Sequence, residues 1–316
     1  MPTLKEIKGR IASVRSTLKI TSAMKLVSSA KLRKAQMAIE AMRPYQEQLQ
    51  GILTSLQGSS ATDKTDFMAP SPENAASASN KADFTAPGTK TIVAIASDSS
   101  LCGSFNANAV AKVRSIRQPG DTVYAIGRKM ADAMRRDGFA SPADCSSLSE
   151  HPSYSDAAAL ADKLAEEAGH TGTVVLVYNH FVSTARQEPV VEVLVGAAPQ
   201  DDDADAVLSA GEASAGTIFE PSRKELLATL LPKTRKLKLY AALLDSAAAE
   251  HAARTVAMQT ATDNAEDLLA ELTLQYNKGR QQKITAEILD LAGGGQSTEE
   301  PRRRLHQSDG SCGARP

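Results

Sequence analysis

The chain has 316 residues, with 36 Lys and Arg against 37 Asp and Glu, so its overall charge is close to neutral. Aromatic residues amount to only 4% and Trp is absent, which leaves no stacking platform for single-stranded nucleic acid. No run of about 18 apolar residues predicts a membrane span, and three widely spaced cysteines give no metal-binding pattern and fit a reducing cytoplasm.

A seven-residue apolar repeat predicts that residues 1–57 form one helix. Of the sixteen core positions from Leu4 to Leu56, twelve are apolar, whereas the hydrophobic content of 42% would give about seven. The frame begins with Leu4, Ile7, Ile11, Val14 and Leu18. A helix of about 50 residues extends about 80 Å. Because one globule cannot bury an apolar stripe of that length, a second long helix must pack against it.

The same N-terminal segment is strongly basic and carries a second apolar row. Residues 1–43 contain ten basic side chains and two acidic ones, which nucleic acid, an anionic membrane or an acidic protein partner would each explain. Ile20, Met24 and Val27 lie on a different face from the seam, and Leu26 makes this segment apolar nearly all round. Such a helix is normally enclosed, so we expect other chains to cover it.

The middle of the chain predicts a small Rossmann-like α/β domain. Residues 58–90 have the composition of a flexible linker, residues 91–198 form the domain, and residues 199–217 are expected to be an exposed loop. Strands are predicted at 91–97, 122–126, 173–178 and 190–195, and helices at 105–117, 128–136 and 154–168, with a further short strand near Phe139. The alternation favours a mainly parallel sheet, and the short last connection favours an antiparallel final pair.

The sequence contains no pattern typical of a catalytic, cofactor or metal site. The first strand ends at Asp98, but no glycine-rich phosphate loop follows it. We interpret Asp98 as a turn former or helix cap, Cys102 as a buried inert thiol and His251 as a packed or capping residue. The sequence therefore predicts no catalytic residue, cofactor or metal.

Residues 218–292 predict the second long helix. The segment is rich in Ala, Leu and Glu, and its apolar seam ends with Ala265, Leu268 and Leu272. We expect the two ends of the chain to form a long antiparallel two-helix coiled coil; two separate helices packed on the central domain are the alternative. Residues 293–316 have the composition of a disordered tail.

Two long terminal segments resemble the γ subunits of F-type ATP synthases. The first runs from Ile11 to Gln36, and the second combines residues 257–265 with the polar, basic segment 276–288. The strand end from Ser97 to Asn106 and the short motif at 219–222 are also similar to that family. Gly279 departs from the family, which usually has alanine there, and glycine costs about 0.5–1 kcal/mol inside a helix.

The resemblance implies a mechanical and non-catalytic role. The paired helices would form the central-stalk rotor of a proton-translocating ATP synthase, inside the hexameric ring of α and β subunits. The partners implied are those α and β subunits, the ε subunit and the c-ring, with no nucleic acid. Membrane association would come only through the complex, at the cytoplasmic face of a bacterial plasma membrane. Shaft orientation would bias the states of the β subunits.

The resemblance also assigns contact residues. Arg280, Gln281 and Thr285 would bind a loop of β, and Met24 and Lys25 would lie close to its acidic lever. The upper bearing of the ring would hold Ile284, Ile288 and Leu291. The alternatives are a nucleotide-dependent enzyme built on the central sheet, and a coiled-coil tether or basic nucleic-acid-binding protein.

Overall fold

The computed structural model describes residues 3–57, 90–139, 141–142, 145, 147–150, 152–195, 220 and 222–296. Its elements are α1 (Leu4–Gln57), β1 (Thr91–Ile95), α2 (Phe105–Ile116), β2 (Thr122–Ile126), α3 (Arg128–Arg136), α4 (Ser147–Glu150), α5 (Tyr154–Thr171), β3 (Val174–Phe181), β4 (Gln187–Val195) and α6 (Arg223–Gln296). The predicted loop at 199–217 and all but Lys90 of the predicted linker lie outside the described residues.

Both long helices begin where the sequence supplies a capping residue. Thr3 and Glu6 form a reciprocal capping box: the Thr3 N–H donates to Glu6 Oε2 at 3.0 Å, and the Glu6 N–H donates to Thr3 Oγ1 at 3.3 Å. Ser222 accepts the Glu225 N–H at 3.3 Å just before α6. The cap therefore sets the start of α6 at Arg223 rather than at 218. At its other end α6 continues to Gln296, into the segment predicted as a tail.

The central sheet has the strand order β2-β1-β3-β4. β1 pairs parallel with β2 and with β3, and β3 pairs antiparallel with β4, as the short β3–β4 connection predicts. Phe139 lies in no strand; its ring instead packs under the guanidinium of Arg117, whose Cζ is 3.8 Å from the ring centroid.

Helices cover both faces of this sheet, which explains why its strands are apolar on both sides. One face packs against α2 and α3 through residues that include Ala109, Val113 and Met130. The other face packs against α5 and α6 through residues that include Leu164, Leu239 and Leu243. The fold class is the predicted one: a Rossmann-like α/β domain together with a long antiparallel helix pair from the two ends.

The chain divides into two compact units, of which the first comprises residues 3–22 and 260–296 of the described chain. In this unit Thr262 Oγ1 donates to Thr21 Oγ1 at 3.0 Å, and a Cβ built on Gly279 would lie 3.2 Å from Leu4 Cδ2. Thr262 contacts Thr21, whereas Gly279, which is closer to the end of α6, lies beside Leu4 at the start of α1. The two helices are therefore antiparallel. Ile7 and Thr21 are buried in their seam, and the seam residues Ile11, Val14 and Leu18 between them are half-buried.

The second unit comprises residues 23–259 and contains the sheet. Here α1 packs against α6 through Leu32, Ala248 and Ala252, all of which are buried. Small alanines allow the two helices to approach closely. In the described parts of the chain, no helix combines the length and the apolar character needed to cross a lipid bilayer.

One predicted seam residue does not face the partner helix. Leu272 is 7% exposed, whereas Leu268 is 45% exposed and the neighbouring Leu269 is half-buried. Met258, Ala265 and Leu272 are buried and keep the seven-residue spacing. The second facing position of each repeat lies four residues after the first instead of three, so Leu269 and not Leu268 faces the partner helix.

This difference gives a paired prediction. We expect Leu272→Ala to lower the local free energy of unfolding by about 2–3 kcal/mol, because a buried side chain leaves a cavity. We expect Leu268→Ala to lower it by less than about 1 kcal/mol, because that side chain remains in water. Amide hydrogen exchange of residues 4–22 and 260–279 measures both. Equal losses of protection in the two variants would contradict the observed seam.

Candidate functional site

The carboxyl ends of β1 and β3 form the place where a doubly wound sheet usually binds a ligand. The chain leaves β1 toward β2 on one side, and β3 lies on the other side, so the strand order reverses between β1 and β3. Ligands of open α/β sheets bind in the crevice at such a reversal.

Polar groups after β1 satisfy one another. The Ser97 hydroxyl donates to the Ser99 carbonyl oxygen at 2.6 Å, and the Asn106 amide donates to Ser97 Oγ at 2.8 Å and to Cys102 Sγ at 3.1 Å. Cys102 is buried, as the sequence predicts. The described residues contain no cluster of His, Cys, Asp and Glu able to hold a metal.

Asp98 caps α3. Its Oδ1 accepts the backbone N–H of Arg128 at 2.7 Å, and the Arg128 guanidinium donates back to the Asp98 carbonyl oxygen at 3.1 Å. A carboxylate near a helix N-terminus also interacts favourably with the helix dipole. The interpretation of Asp98 as a cap is therefore confirmed.

Helix α6 fills the crevice itself. Ala249 is fully buried against Cys102 and Phe105, and Ala253 and Phe181 pack on the same cluster. Beside these alanines, Arg254 pairs with Glu250 at 2.8 Å and donates to the Ser100 carbonyl oxygen at 3.4 Å. The position where related folds hold a ligand is thus occupied by a helix of the same chain.

Burial perturbs two titratable groups on this part of α6. Burial raises the pKa of Glu250 above its usual range, although the nearby Arg254 opposes the shift. Burial lowers the pKa of His251 to about 4, and the positive charges of Arg254 and Lys31 act in the same direction. His251 is therefore a neutral, packed residue at pH 7, as predicted.

The low pKa of His251 predicts a loss of stability in acid. The folded chain binds this proton only near pH 4, whereas the unfolded chain binds it near pH 6.5, so the free energy of unfolding falls as the pH drops through that interval. After discounting for partial exposure we expect a loss of about 2 kcal/mol. Denaturant midpoints at pH 7 and pH 4.5 should differ less in His251→Gln than in the wild type. An identical pH dependence in the two chains would contradict the assignment.

The far end of α6 has no cover in the described chain. Every residue from Arg280 to Ala292 is exposed, which includes all three predicted β-contact residues Arg280, Gln281 and Thr285. The predicted bearing residues are exposed as well, with Ile284 at 43%, Ile288 at 60% and Leu291 at 79%. At about 100° per residue these six side chains share about 140° of the helix circumference. The end of α6 therefore presents one continuous face, in which the apolar Ile284, Ile288 and Leu291 lie between Arg280 on one edge and Gln281 and Thr285 on the other.

A second uncovered surface lies on α1 in the unit of residues 23–259. Met24, Leu26 and Val27 are exposed, and Lys25 is half-buried. Ile20, which belongs to the other unit, is also exposed. Exposed apolar side chains in such number on a helix mark a surface for another molecule.

The groups that attach α6 to the sheet were not predicted from the sequence. Asp245 pairs with His180 and accepts the Phe181 N–H at 3.2 Å, and Lys238 donates to the Val193 carbonyl oxygen at 2.8 Å. Their only sequence signal is a charged residue inside a run of alanine and leucine. That signal does not say which strand such a residue reaches.

The family model described as ATP synthase matches residues 3–297 of this chain. The ATP synthase gamma chain of Phocaeicola vulgatus is 41% identical over 307 residues, covering 93% of this chain and 99% of that relative. The gamma chain of Bacteroides fragilis is 42% identical over the same shares, and that of Flavobacterium johnsoniae is 39% identical over 94% of this chain and 99% of that relative.

Solved structures share the fold at lower identity. A chain of the Euglena gracilis mitochondrial ATP synthase, in an assembly of OSCP, F1 and c-ring, has a TM-score of 0.67 at 18% identity and covers 98% of this chain and 99% of its own length. A chain from the central stalk and c-ring of the Tetrahymena thermophila mitochondrial ATP synthase has a TM-score of 0.53 at 22% identity, with 77% of this chain and 99% of that one covered.

Proposed function

The chain belongs to the γ-chain family of ATP synthases, and from this membership we propose that it is the central-stalk rotor subunit, which couples c-ring rotation to conformational change in the catalytic β subunits. The single observation that carries the proposal is the uncovered end of α6, where every residue from Arg280 to Ala292 is exposed. A helix that is partly apolar and projects in this way is stable in water only with a partner. The hexamer of α and β subunits supplies such an enclosure.

The contact face on α6 divides by chemistry. Arg280 and Gln281 offer donors to a loop of β. Thr285 donates its hydroxyl to the Gln281 carbonyl oxygen at 2.9 Å, so a β group that meets Thr285 must itself donate to the hydroxyl oxygen. The apolar side chains of Ile284, Ile288 and Leu291 would instead turn against the apolar upper bearing of the ring.

The exposed apolar residues of α1 support a second contact. Met24 and Lys25 would face the acidic lever of a β subunit, with Lys25 supplying charge and Met24 a flexible apolar surface. The excess of ten basic over two acidic side chains in residues 1–43 fits a basic shaft among acidic levers.

Coupling by such a shaft requires no bond chemistry in this chain. A rotor that contacts one β subunit differently from the next shifts each toward a different nucleotide affinity, and the shift equals the difference in contact free energy between states. We infer that the chain carries no catalytic residue, since the polar groups after β1 are engaged with one another and α6 occupies the ligand crevice. The ε subunit and c-ring would bind outside the hexamer, at the cytoplasmic face of the plasma membrane, so that membrane association is peripheral.

Affinity purification of the tagged full-length chain from solubilised membranes tests the proposal. We expect the α, β, ε and c subunits to co-purify and the untagged strain to yield none of them. Recovery of the chain alone would overturn the rotor function. Recovery with nucleic acid that nuclease removes would favour the basic nucleic-acid-binding alternative instead.

A further inference from the structure

The ligand crevice of the central sheet holds a segment of α6 with unusually small side chains. Ala249 is fully buried against Cys102 and Phe105, and Ala253 packs on the same cluster. Small side chains bring the helix backbone close to the carboxyl ends of β1 and β3. Close-packed contacts of this kind have low compressibility and transmit strain.

Two charged side chains flank this alanine contact. Asp245 accepts the Phe181 N–H at 3.2 Å and pairs with His180, both at the end of β3. Arg254 donates to the Ser100 carbonyl oxygen at 3.4 Å in the loop after β1, while the buried Glu250 pairs with the same guanidinium at 2.8 Å. Hydrogen bonds that involve ionised groups are stronger and more directional than neutral ones.

The spacing of these anchors places them on opposite sides of the helix. At about 100° per residue, Asp245 and Arg254 lie about 180° apart, and Ala249 and Ala253 fall between them at about 40° and 80°. An apolar contact alone would let a helix turn about its own axis by small steps, because ridges can slip between grooves. A hydrogen-bonded anchor on each side opposes rotation in both directions.

Another ion pair on α6 provides a contrast. Lys236 contacts Asp162 at 2.8 Å, but 57% of the Asp162 side chain is exposed. Exposed pairs of this kind contribute little, since water and ions screen them. Lys238 is a further buried anchor, which joins α6 to β4 by donating to the Val193 carbonyl oxygen at 2.8 Å. Asp245 and Arg254 are the anchors that join α6 to the crevice itself.

Building on the rotor function proposed above, we propose that Asp245, Ala249, Ala253 and Arg254 form a torque socket, in which the ligand crevice of the α/β domain locks the angular position of α6 so that rotation of the domain is delivered to the shaft. Asp245 and Arg254 are positioning residues: they contact no nucleotide and act through the orientation of α6. The sheet keeps a crevice of the ligand-binding type and uses it as a mechanical joint.

Angular fluctuation in the assembled complex tests the torque socket. A probe is attached through Ser115→Cys, an exposed position of α2, in a chain carrying Cys312→Ser; the thiols of Cys102 and Cys145 are buried. During pauses in ATP-driven rotation, we expect Asp245→Asn with Arg254→Gln to raise the variance of the probe angle about twofold. The rate of ATP hydrolysis per assembled complex should stay unchanged. Lys236→Ala is the matched control and should leave the variance at the wild-type value.

A second measurement works on the full chain without its partners. Spin labels at Ser115→Cys and at Lys233→Cys, an exposed position of α6, report the distribution of distances between the two helices. The double variant should broaden this distribution, and Lys236→Ala should not. Unchanged variance and unchanged distance width in the double variant would overturn the torque socket. Failure of the wild-type chain to assemble or rotate would refute the rotor function, while the distance measurement would still decide whether the crevice locks α6.

Discussion

We expect Gly127→Ala to lower the free energy of unfolding by about 3 kcal/mol or more. Gly127 joins β2 to α3 with φ of 93°, a conformation that side chains with a Cβ rarely adopt. A Cβ at this position would lie 2.1 Å from the Ala96 carbonyl oxygen and 2.8 Å from its carbon. The clash is with backbone, so β1 or the start of α3 would have to move.

Gly138→Ala is the matched control for this prediction. Gly138 also has a positive φ, at 85°, but a Cβ there would meet nothing within 4 Å. The free energy of unfolding of the Gly138→Ala variant should therefore fall by only about 1 kcal/mol, which is the cost of the positive φ alone. Chemical denaturation of the full chain, followed by circular dichroism, measures both variants. Equal losses would show that the close approach of Ala96 to Gly127 does not occur.

Periodicity in the sequence predicts the long helices well, because their burial follows a local repeat. Each of the sixteen seam positions of α1 is buried or half-buried, even where the residue is polar, as at Thr21 and Ser28. The repeat predicts these positions because neighbours three and four residues apart share one face of any helix. Leu268 was predicted wrongly because residues three and four positions after Ala265 are both leucines, and the repeat alone does not say which of the two faces the partner helix.

Contacts between distant residues could not be predicted in the same way. Gly127 appears in the sequence as one glycine between a strand and a helix, and nothing local indicates that Ala96 approaches it. Asp245 and His180 are 65 residues apart, so their pairing depends on how α6 crosses the sheet. The predicted contact residues on α6 lie on one face of the helix, but the surfaces that they are proposed to contact belong to other chains and cannot be identified from this sequence.

The contact face on α6 leads to the largest functional effect that we expect. Arg280→Ala combined with Gln281→Ala should reduce coupled ATP synthesis in membrane vesicles about tenfold or more. Each side chain would lose hydrogen bonds worth about 1–1.5 kcal/mol to β, in only one of its orientations, and 1.4 kcal/mol is about a factor of ten. Because both side chains are exposed and alanine is a good helix former, the stability of the chain itself should not change.

A control on the same helix separates loss of the proposed contact with β from a general effect of shortening exposed side chains. Lys283 and Glu287 form an exposed ion pair at 3.7 Å, and at about 100° per residue they lie just outside the face that carries Arg280 and Gln281. Lys283→Ala with Glu287→Ala should therefore retain synthesis near the wild-type rate. If the variant of Arg280 and Gln281 assembled normally and stayed fully coupled, the contact with β that transmits coupling would lie elsewhere on the two long helices. In that case the exposed surface of α1 around Met24 and Lys25 would be the remaining place to find the contact.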